Sequence, residues 1–354
     1  MRVLVTGSNG YIGSVLAPYL MAEGHSVVGI DSRWFADCTL GESKIEFEER
    51  TGDVRDLEID DLAGFDAVCH LAALSNDPLG NLDARLTDEL NYQASVRLAE
   101  MAKEARVARF VFSSSCSLYG AAGDQFLDEQ ASLRPVTPYG ASKADTECAV
   151  ARLADEGFSP IFLRNATAYG ASPQLRLDLV INDFVASAHI YGRIEIRSDG
   201  TPWRPVVHVE DICQAFAAVL VAPREAVHNQ AFNVGRSDEN YRVSELAEIV
   251  RQTVPGSVVQ YAAGGGPDLR CYRVDCNKLP RHVPTFKPCW NVRKGVEQLV
   301  ETFRRAPLTD TDIQQQRFLR LPVLRRLMET GIVDADLHRC QETNSTSQPV
   351  TSAL

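Results

Sequence analysis

The stretch Thr6-Gly7-Ser8-Asn9-Gly10-Tyr11-Ile12-Gly13 decides how this chain folds. It follows the apolar run Val3–Thr6 and precedes an amphipathic segment, so the pattern predicts a strand, a tight turn and a helix. Its glycines let the chain turn sharply and let the backbone approach a pyrophosphate, which the N–H groups at the helix N-terminus attract. We therefore expect a dinucleotide to contact Gly7, Asn9, Gly10, Tyr11, Ile12 and Gly13.

The residues around this turn alternate short apolar runs with amphipathic segments. The predicted strands are Val3–Thr6, Ser26–Asp31, Ala67–Leu71 and Phe110–Ser114, and the predicted helices are 11–23, 83–105 and 138–156. Strands that alternate with helices indicate an α/β fold with a Rossmann-type, doubly wound parallel sheet.

A carboxylate at Asp31, at the end of the second predicted strand, favours NAD as the cofactor. In this fold such a group accepts hydrogen bonds from the adenosine ribose and repels the 2′-phosphate of NADP. Arg33 can instead accommodate that phosphate, so NADP stays open at this point. Asp53 and Val54 follow another predicted strand, where Asp53 either reaches the adenine or caps a loop.

Beyond residue 165 the pattern becomes less regular. We divide the chain into an NAD-binding Rossmann domain at 1–165, to which some later segments return, a smaller C-terminal substrate-binding lobe at 166–305, a helical extension at 306–341 and a disordered tail at 342–354. Helices are predicted at 178–191, 210–222, 243–253, 291–305 and 311–330, and strands at 194–197, 206–209, 229–234 and 258–262.

The composition excludes several classes of protein. A net charge of −11, with 45% hydrophobic residues, argues against binding to nucleic acid or to an anionic membrane surface. The nine cysteines form no C-x-x-C pair, so we expect no metal site, no disulfide framework and a reducing, cytoplasmic location. We also expect no signal peptide and no membrane span, because the first strand opens almost at Met1 and the apolar runs are short.

Tyr139 and Lys143 lie four residues apart at the start of a predicted helix and therefore share one face. A free phenol, with a pKa of about 10, is a poor base at neutral pH. A neighbouring ammonium and a positive nicotinamide ring favour the phenolate. The hydroxyl run Ser113-Ser114-Ser115 ends another strand at the edge of the sheet where ligands bind in this architecture. The pattern predicts that Tyr139 moves a proton beside the cofactor.

Together with His70-Leu71-Ala72-Ala73 and Tyr119-Gly120, these motifs resemble the extended short-chain dehydrogenase/reductases, closest to the NAD-dependent sugar-nucleotide epimerases and dehydratases. The resemblance runs from residue 1 to about 305. It implies Tyr139 as base and acid on a sugar hydroxyl, Lys143 as a ligand of the nicotinamide ribose, and Ser115 as a hydrogen-bond partner of the reacting oxygen. It also implies a homodimer through helices 83–105 and 138–156, and cofactor contacts from Leu71, Ala72, Ala73, Asn91, Tyr139 and Lys143.

The resemblance further implies how a nucleotide-diphosphate sugar binds. Asn182 matches an Asn that contacts the diphosphate, Arg204 an Arg that reaches the nucleotide, and Asp268 with Arg270 a pair that closes over the nucleotide ribose and phosphates. An Arg fork suits a diphosphate because its planar donors match two oxygens, although either Arg can also form a surface ion pair. The predicted substrate contacts are Ser75, Ser115, Cys116, Ser117, Asn165, Thr167, Asn182, Arg204, Asp268 and Arg270. For Ser75 and Thr167 a role in loop structure is an equally open alternative.

The two residues after Ser115 choose among the reactions that the resemblance implies. The 4,6-dehydratases carry an Asp–Glu pair there, whereas this chain has Cys116 and Ser117. We therefore favour 4-epimerisation through a transient 4-keto sugar. The alternatives are a 4,6-dehydratase, a nucleotide-sugar reductase or dehydrogenase, and a 3- or 5-epimerase in which the Cys116 thiol exchanges a proton. A buried Cys116 that only fills space is the simpler interpretation.

The segment Gln316–Leu327 lies beyond the part of the chain that resembles the family. It is amphipathic and basic. We expect it either to cover the active-site cleft or to pack on a partner.

Overall fold

The computed structural model describes residues 1–41, 46–262 and 271–340; the predicted tail at 342–354 lies outside the described residues. The strands are β1 (Arg2–Thr6), β2 (Ser26–Asp31), β3 (Glu48–Thr51), β4 (Ala67–His70), β5 (Arg109–Ser115), β6 (Ala121–Leu127), β7 (Ser159–Asn165), β8 (Thr167–Tyr169), β9 (Arg193–Ile196), β10 (Trp203–His208), β11 (Gln230–Val234), β12 (Asn240–Arg242), β13 (Val258–Tyr261) and β14 (Cys271–Val274).

The α-helices follow the same order along the chain. They are α1 (Gly13–Ala22), α2 (Asp77–Gly80), α3 (Ala84–Thr87), α4 (Ala94–Glu104), α5 (Pro138–Ala151), α6 (Val180–Tyr191), α7 (Val209–Val221), α8 (Arg224–Val227), α9 (Val243–Thr253), α10 (Lys278–His282), α11 (Val292–Arg305), α12 (Asp310–Gln314) and α13 (Arg320–Glu329). Within the described ranges, no helix is both long and apolar enough to cross a membrane.

The main sheet of the described chain has seven strands in the order β11-β7-β5-β4-β1-β2-β3, and every neighbouring pair is parallel. The chain runs from β1 outward to β3 and then returns to β4 on the other side of β1. This reversal creates a crevice beyond the carboxyl ends of β1 and β4, where ligands bind in doubly wound sheets. The predicted Rossmann-type fold is confirmed.

Helices cover both faces of this sheet. On one face α1 and α7 bury Leu16, Leu20 and Phe216, and on the other face α4 and α5 bury Leu98 and Val150. Each large apolar side chain removed from water contributes about 1.5–3 kcal/mol, so the two apolar layers supply much of the stability of the fold. The layers hold the ends of β1, β4 and β5 rigidly next to one another.

A second apolar core lies in the lobe. Helices α6, α9 and α11 pack together and bury Val185, Leu246, Leu299 and Phe303. The small sheet β12-β10-β8 joins this lobe to the main sheet, because β8 follows β7 after one residue. From the lobe the chain also returns to the main sheet, where β11 pairs with β7 at its edge.

Two helices that the sequence predicts as continuous are interrupted. The predicted helix 83–105 contains a π-helical segment at Asp88–Gln93. There the carbonyl of Asn91 accepts hydrogen bonds from the hydroxyls of Ser95 at 2.6 Å and Thr146 at 3.1 Å, which stabilise the widened turn. The predicted helix 311–330 is broken into α12 and α13, since Gln316 has a φ of 53° that helices do not allow.

Candidate active site

The glycine turn is packed so closely that side chains are excluded from it. Gly7 has a φ of 73°, and a Cβ atom there would lie 2.8 Å from the backbone nitrogen of Ala72. A Cβ atom on Gly13 would lie 2.0 Å from the carbonyl oxygen of Gly7. At these glycines no side chain covers the backbone at the start of α1, where N–H groups can face a ligand. This cradle fits the diphosphate of a dinucleotide.

The turn opens one end of a single cleft. The cleft runs from Gly7 past Tyr139 to Arg204 and follows the carboxyl ends of β1, β2, β4, β5 and β7. Gly10, Tyr11, Ile12 and Gly13 also line it. Asn9 does not line the cleft, and its backbone N–H donates to Asp31 at 3.0 Å.

Two backbone hydrogen bonds hold the carboxylate of Asp31 in place at the edge of the cleft. One carboxylate oxygen accepts the N–H of Asn9, and the other accepts the N–H of Arg33 at 2.6 Å. Burial raises the pKa of Asp31 to about 6, although both hydrogen bonds lower it. The guanidinium of Arg33 pairs with Glu49 at 3.0 Å. The cation that can accommodate a 2′-phosphate is therefore engaged by a carboxylate, which favours NAD.

Asp53 caps a loop, which is one of the two roles that the sequence leaves open. Its side chain caps the short helical turn Val54–Asp56 and forms an ion pair of 2.7 Å with Arg55. Asp53 and Val54 also line the cleft. A contact of Asp53 with the adenine stays a prediction.

The predicted catalytic residues converge on the middle of the cleft. The side chain of Thr137 caps α5 by accepting the N–H of Gly140 at 3.1 Å, so that Tyr139 and Lys143 face the cleft from the first turns of the helix. β5 ends at Ser115, which lines the cleft together with Tyr139 and whose hydroxyl donates to the hydroxyl of Ser117 at 3.0 Å. The ammonium of Lys143 lies 5.8 Å from the centre of the Tyr139 ring.

The cleft alters the proton affinity of Tyr139 and Lys143. Burial raises the pKa of Tyr139 to about 12, although the neighbouring Ser115 hydroxyl lowers it. Burial lowers the pKa of Lys143 to about 7, while the nearby Glu147 raises it. At neutral pH Tyr139 is therefore a phenol. A further positive charge beside its ring favours the phenolate, and a bound nicotinamide ring would carry such a charge.

A buried ion pair between Glu147 and Arg164 lies next to the predicted catalytic residues. Glu147 accepts hydrogen bonds from the guanidinium of Arg164 at 2.7 Å and from the hydroxyl of Ser114 at 2.5 Å. Both charged side chains are 7% exposed. Lys143 itself donates to the carbonyl of Ser113 at 2.9 Å. Glu147 therefore ties α5 to the end of β5 that carries Ser115.

The predicted cofactor contacts after β4 fall into two groups. Leu71, Ala72 and Ala73 line the cleft. Asn91 is buried and does not reach it. Its amide accepts from the N–H of Leu74 at 2.7 Å and donates to the Leu74 carbonyl at 3.1 Å. Asn91 therefore shapes the wall of the cleft from the π-helical segment instead of contacting a ligand.

Most of the predicted substrate contacts that the structure describes line the cleft. These are Ser75, Ser115, Ser117, Asn165, Thr167 and Arg204. Asp268 and Arg270 lie outside the described residues.

Cys116 and Asn182, by contrast, point away from the cleft. The Cys116 thiol is fully buried and donates to the carbonyl of Arg164 at 3.2 Å, and burial raises its pKa. The Asn182 amide accepts from the N–H of Gly170 at 3.0 Å and donates to the Arg176 carbonyl at 3.1 Å. Neither side chain is free to contact a substrate in this geometry, which differs from the substrate contacts predicted for both. For Cys116 the burial agrees with the simpler interpretation of a thiol that fills space.

The sequence did not single out several residues that line the substrate end. The buried Arg176 pairs with Asp178 at 2.8 Å and donates to the hydroxyl of Ser75 at 3.1 Å. Tyr272 lines the far wall of the cleft, near Ser117. The Arg-x-Asp spacing was visible in the sequence, but such a pair is usually an exposed one. Only packing of the 168–177 loop buries it.

Comparisons with known proteins identify the family of this chain. A model of the NAD dependent epimerase/dehydratase family matches residues 3–235. The chain belongs to this family. A UDP-glucose 4-epimerase of Mycolicibacterium smegmatis is 31% identical over 315 residues, which cover 86% of this chain and 99% of the relative.

Solved structures agree with the family. MoeE5 in complex with UDP-glucuronic acid and NAD has a TM-score of 0.75 and 30% identity, covering 86% of this chain and 99% of that one. DesIV, a dTDP-glucose 4,6-dehydratase from Streptomyces venezuelae solved with NAD, has a TM-score of 0.74 and 28% identity, covering 86% and 97%. This member of the sugar-nucleotide epimerases and dehydratases uses NAD. Its relatives include both 4-epimerases and 4,6-dehydratases.

Proposed function

We propose that this family member is a nucleotide-sugar 4-epimerase. The observation that carries the proposal is the end of β5. Ser115 joins Tyr139 and Lys143 in the cleft, whereas the next side chain, Cys116, is buried behind the sheet and Ser117 offers only a hydroxyl. A 4-epimerisation, which combines hydride transfer with proton transfer through Tyr139, needs no protein groups beyond Ser115, Tyr139 and Lys143.

The carboxylates of the cleft argue against dehydration. Expelling a hydroxyl from C6 needs both an acid and a base beside the sugar. The carboxylates among the described lining residues are Asp31, Asp53, Asp77 and Asp178. The first two lie at the adenosine end. Asp77 accepts from Thr137 at 2.6 Å, and Asp178 is paired with Arg176. None of these four has the position and freedom of an acid–base pair after Ser115.

In the proposed mechanism Tyr139 moves the proton of the sugar 4-hydroxyl. Bound NAD supplies the oxidant that accepts a hydride from C4 and the reductant that returns it. Tyr139 removes the hydroxyl proton and gives it back after the keto sugar has presented its other face. Ser115 donates its hydroxyl hydrogen to the reacting oxygen, and Lys143 holds the nicotinamide ribose and supplies positive charge near the phenol.

The buried Cys116 argues against proton exchange by a thiol. A base at C3 or C5 must reach the sugar as a thiolate, but burial raises the pKa of Cys116 and its hydrogen is committed to a backbone carbonyl. A reductase or dehydrogenase remains distinguishable by experiment, because it consumes the cofactor with every turnover.

We propose UDP-sugars as the substrates. Support comes from the relatives, since one is named as a UDP-glucose 4-epimerase and MoeE5 was solved with UDP-glucuronic acid and with UDP-glucose. Arg204 and Tyr272 line the end of the cleft opposite the glycine turn and are suited to the nucleotide.

The function can be tested by incubating the protein with UDP-, dTDP-, GDP-, CDP- and ADP-sugars and identifying products by NMR. We expect a 4-epimer with no net absorbance change at 340 nm. Tyr139→Phe should lower the rate about 100- to 10,000-fold while NAD stays bound. Tyr261→Phe, at a tyrosine that is 58% exposed, is the matched control. A 4-keto-6-deoxy product, or steady change at 340 nm, would contradict the proposal.

The resemblance also leads us to propose a homodimer that pairs the outer faces of α4 and α5. The scattered cysteines support the proposal of a cytoplasmic location. Light scattering after gel filtration should give twice the chain mass of 39.0 kDa. A monomer at micromolar concentration would refute the dimer.

A further inference from the structure

The C-terminal segment 310–340 folds over the cofactor end of the cleft, and we call it the C-terminal strap. It lies beyond residue 305, where the resemblance to the family ends, and a relative is covered over 99% of its length by 86% of this chain. Leu324, Val333 and Leu337 of the strap are buried in one apolar cluster with Leu74 and Leu79. The strap is therefore an integral part of the wall.

Polar contacts fasten the strap to the loop that follows β2. The Arg317 guanidinium donates to the carbonyls of Asp37 at 2.8 Å and Thr39 at 2.9 Å. Further along, the Arg339 guanidinium donates to the Ser32 carbonyl at 3.1 Å. Ser32, Trp34 and Phe35 of the same loop line the cleft beside Asp31. The strap thus closes the adenosine end from outside.

One strap residue reaches the cleft itself. Arg320, at the start of α13, lines the cleft although its side chain is 2% exposed. Its Nη2 donates to the Gln174 carbonyl at 3.1 Å, and its guanidinium stacks on Phe35 at 4.7 Å. Its Nη1 is buried without a hydrogen-bond partner among the described residues. A buried cationic donor left unpaired costs free energy unless a ligand completes it.

A path of hydrogen bonds connects Arg320 with the glycine turn, and both line the same cleft. Gln174, which accepts from Arg320, donates its N–H to the hydroxyl of Ser172 at 3.2 Å. Ser172 in turn donates to the carbonyl of Tyr11 at 2.8 Å and bonds with the hydroxyl of Ser14 at 3.1 Å. This short path connects the strap to the backbone cradle at the start of α1.

The other described cationic side chains that line the cleft have different positions or partners. Lys143 lies beside Tyr139, Arg176 is paired with Asp178, and Arg204 lies towards the substrate nucleotide. The cradle of backbone N–H groups near Arg320 meets a diphosphate that carries two negative charges. A planar guanidinium with an unused donor is matched to such an anion.

We propose that Arg320 of the C-terminal strap binds the diphosphate of NAD and that the strap thereby slows cofactor release. The strap is then a cofactor-retaining device, which suits an enzyme that returns its hydride within each turnover. NAD binding completes the hydrogen bonding of the buried guanidinium, and the contacts at Arg317 and Arg339 keep the covering loop in place.

The test compares Arg320→Met with Arg325→Met, an exposed residue of the same helix. NAD released by denaturation is counted per chain by chromatography. Apoprotein is then titrated calorimetrically with NAD, ADP-ribose, adenosine and UDP. We expect Arg320→Met to weaken NAD and ADP-ribose binding roughly ten- to hundredfold, the worth of a hydrogen bond to a charged group, and to leave adenosine and UDP unchanged. Arg325→Met should change none of them.

Other outcomes overturn the proposal. Unchanged affinity for NAD would show that Arg320 only packs the strap. An equal loss for adenosine, with a lower melting temperature of the apoprotein, would show that it supports the wall. Weaker binding of UDP with unchanged NAD would assign it to the substrate diphosphate. If Arg320→Met does not fold, Arg320→Lys, which keeps the charge but not the planar fork, must still weaken ADP-ribose more than adenosine.

Discussion

Replacing Glu147 by Gln should destabilise the protein far more than its small change in shape suggests. Glu147 and Arg164 are both 7% exposed, and the guanidinium approaches the carboxylate at 2.7 Å. The neutral amide of the Glu147→Gln variant would leave the Arg164 cation buried without its counter-charge. Removing one partner of a buried pair costs about 3–5 kcal/mol, because the surviving charge stays desolvated. The hydrogen bond from Ser114 would also weaken.

The same substitution should change the pH dependence of catalysis. Burial lowers the pKa of Lys143 to about 7, and the negative charge of Glu147 opposes this effect. Without that charge the pKa falls further, so the ammonium is lost at a lower pH. Since the ammonium favours the Tyr139 phenolate, the alkaline decline of kcat should begin at a lower pH in Glu147→Gln than in the native protein.

Urea unfolding followed by circular dichroism measures the first effect, and a pH profile of kcat the second. Asp145→Asn, exposed on the same helix, is the control and should cost less than about 0.5 kcal/mol. The double variant Glu147→Gln with Arg164→Met removes both charges and should be more stable than the sum of the single losses implies. Additive losses, or a Glu147→Gln cost equal to that of the control, would refute the reasoning.

Three further substitutions probe the rest of the site. Gly13→Ala should abolish NAD retention after purification, because its Cβ would lie 2.0 Å from a carbonyl oxygen, whereas Gly157→Ala, with its nearest neighbour at 3.6 Å, should retain NAD. Burial lowers the pKa of His70 to about 3, so the stability that neutral His70 contributes is present above its ordinary pKa of 6.5 and is lost as pH falls towards 3. His70→Gln should therefore reduce the slope of unfolding free energy against pH on the acid side by up to about 1.4 kcal/mol per pH unit. An unchanged slope would contradict this. Cys116→Ala should cost about 1 kcal/mol of stability and leave kcat within about threefold of the native value. A kcat about 100-fold lower would instead support proton transfer by the Cys116 thiol.

The sequence was most informative where local pattern and chemistry coincide. Gly7 and Gly13 lie between a strand and a helix, and close backbone contacts at both positions leave no room for a side chain. The spacing of Tyr139 and Lys143 fixes one helical face in the same way. Ser115 could be placed because β5 ends in a run of hydroxyls at the edge of the sheet.

What the sequence could not predict depends on contacts between distant segments. Cys116 and Ser115 are adjacent, and only the geometry of the turn after β5 decides which of them faces the cleft. Asn182 carries the right chemistry for a diphosphate but is used by the Gly170 backbone. Arg320 enters the cleft from a helix about 300 residues away from the turn, through packing that no local pattern reveals.

The central claim is that a hydride leaves and returns to the same sugar carbon, with Tyr139 moving the hydroxyl proton. The most direct test uses a UDP-hexose labelled with deuterium at C4, and a parallel reaction of unlabelled sugar in D₂O. The mechanism predicts a 4-epimer that keeps its C4 deuterium, and no uptake of solvent deuterium at any carbon. Deuterium gained at C3, C5 or C6, or loss of the C4 label, would contradict the mechanism.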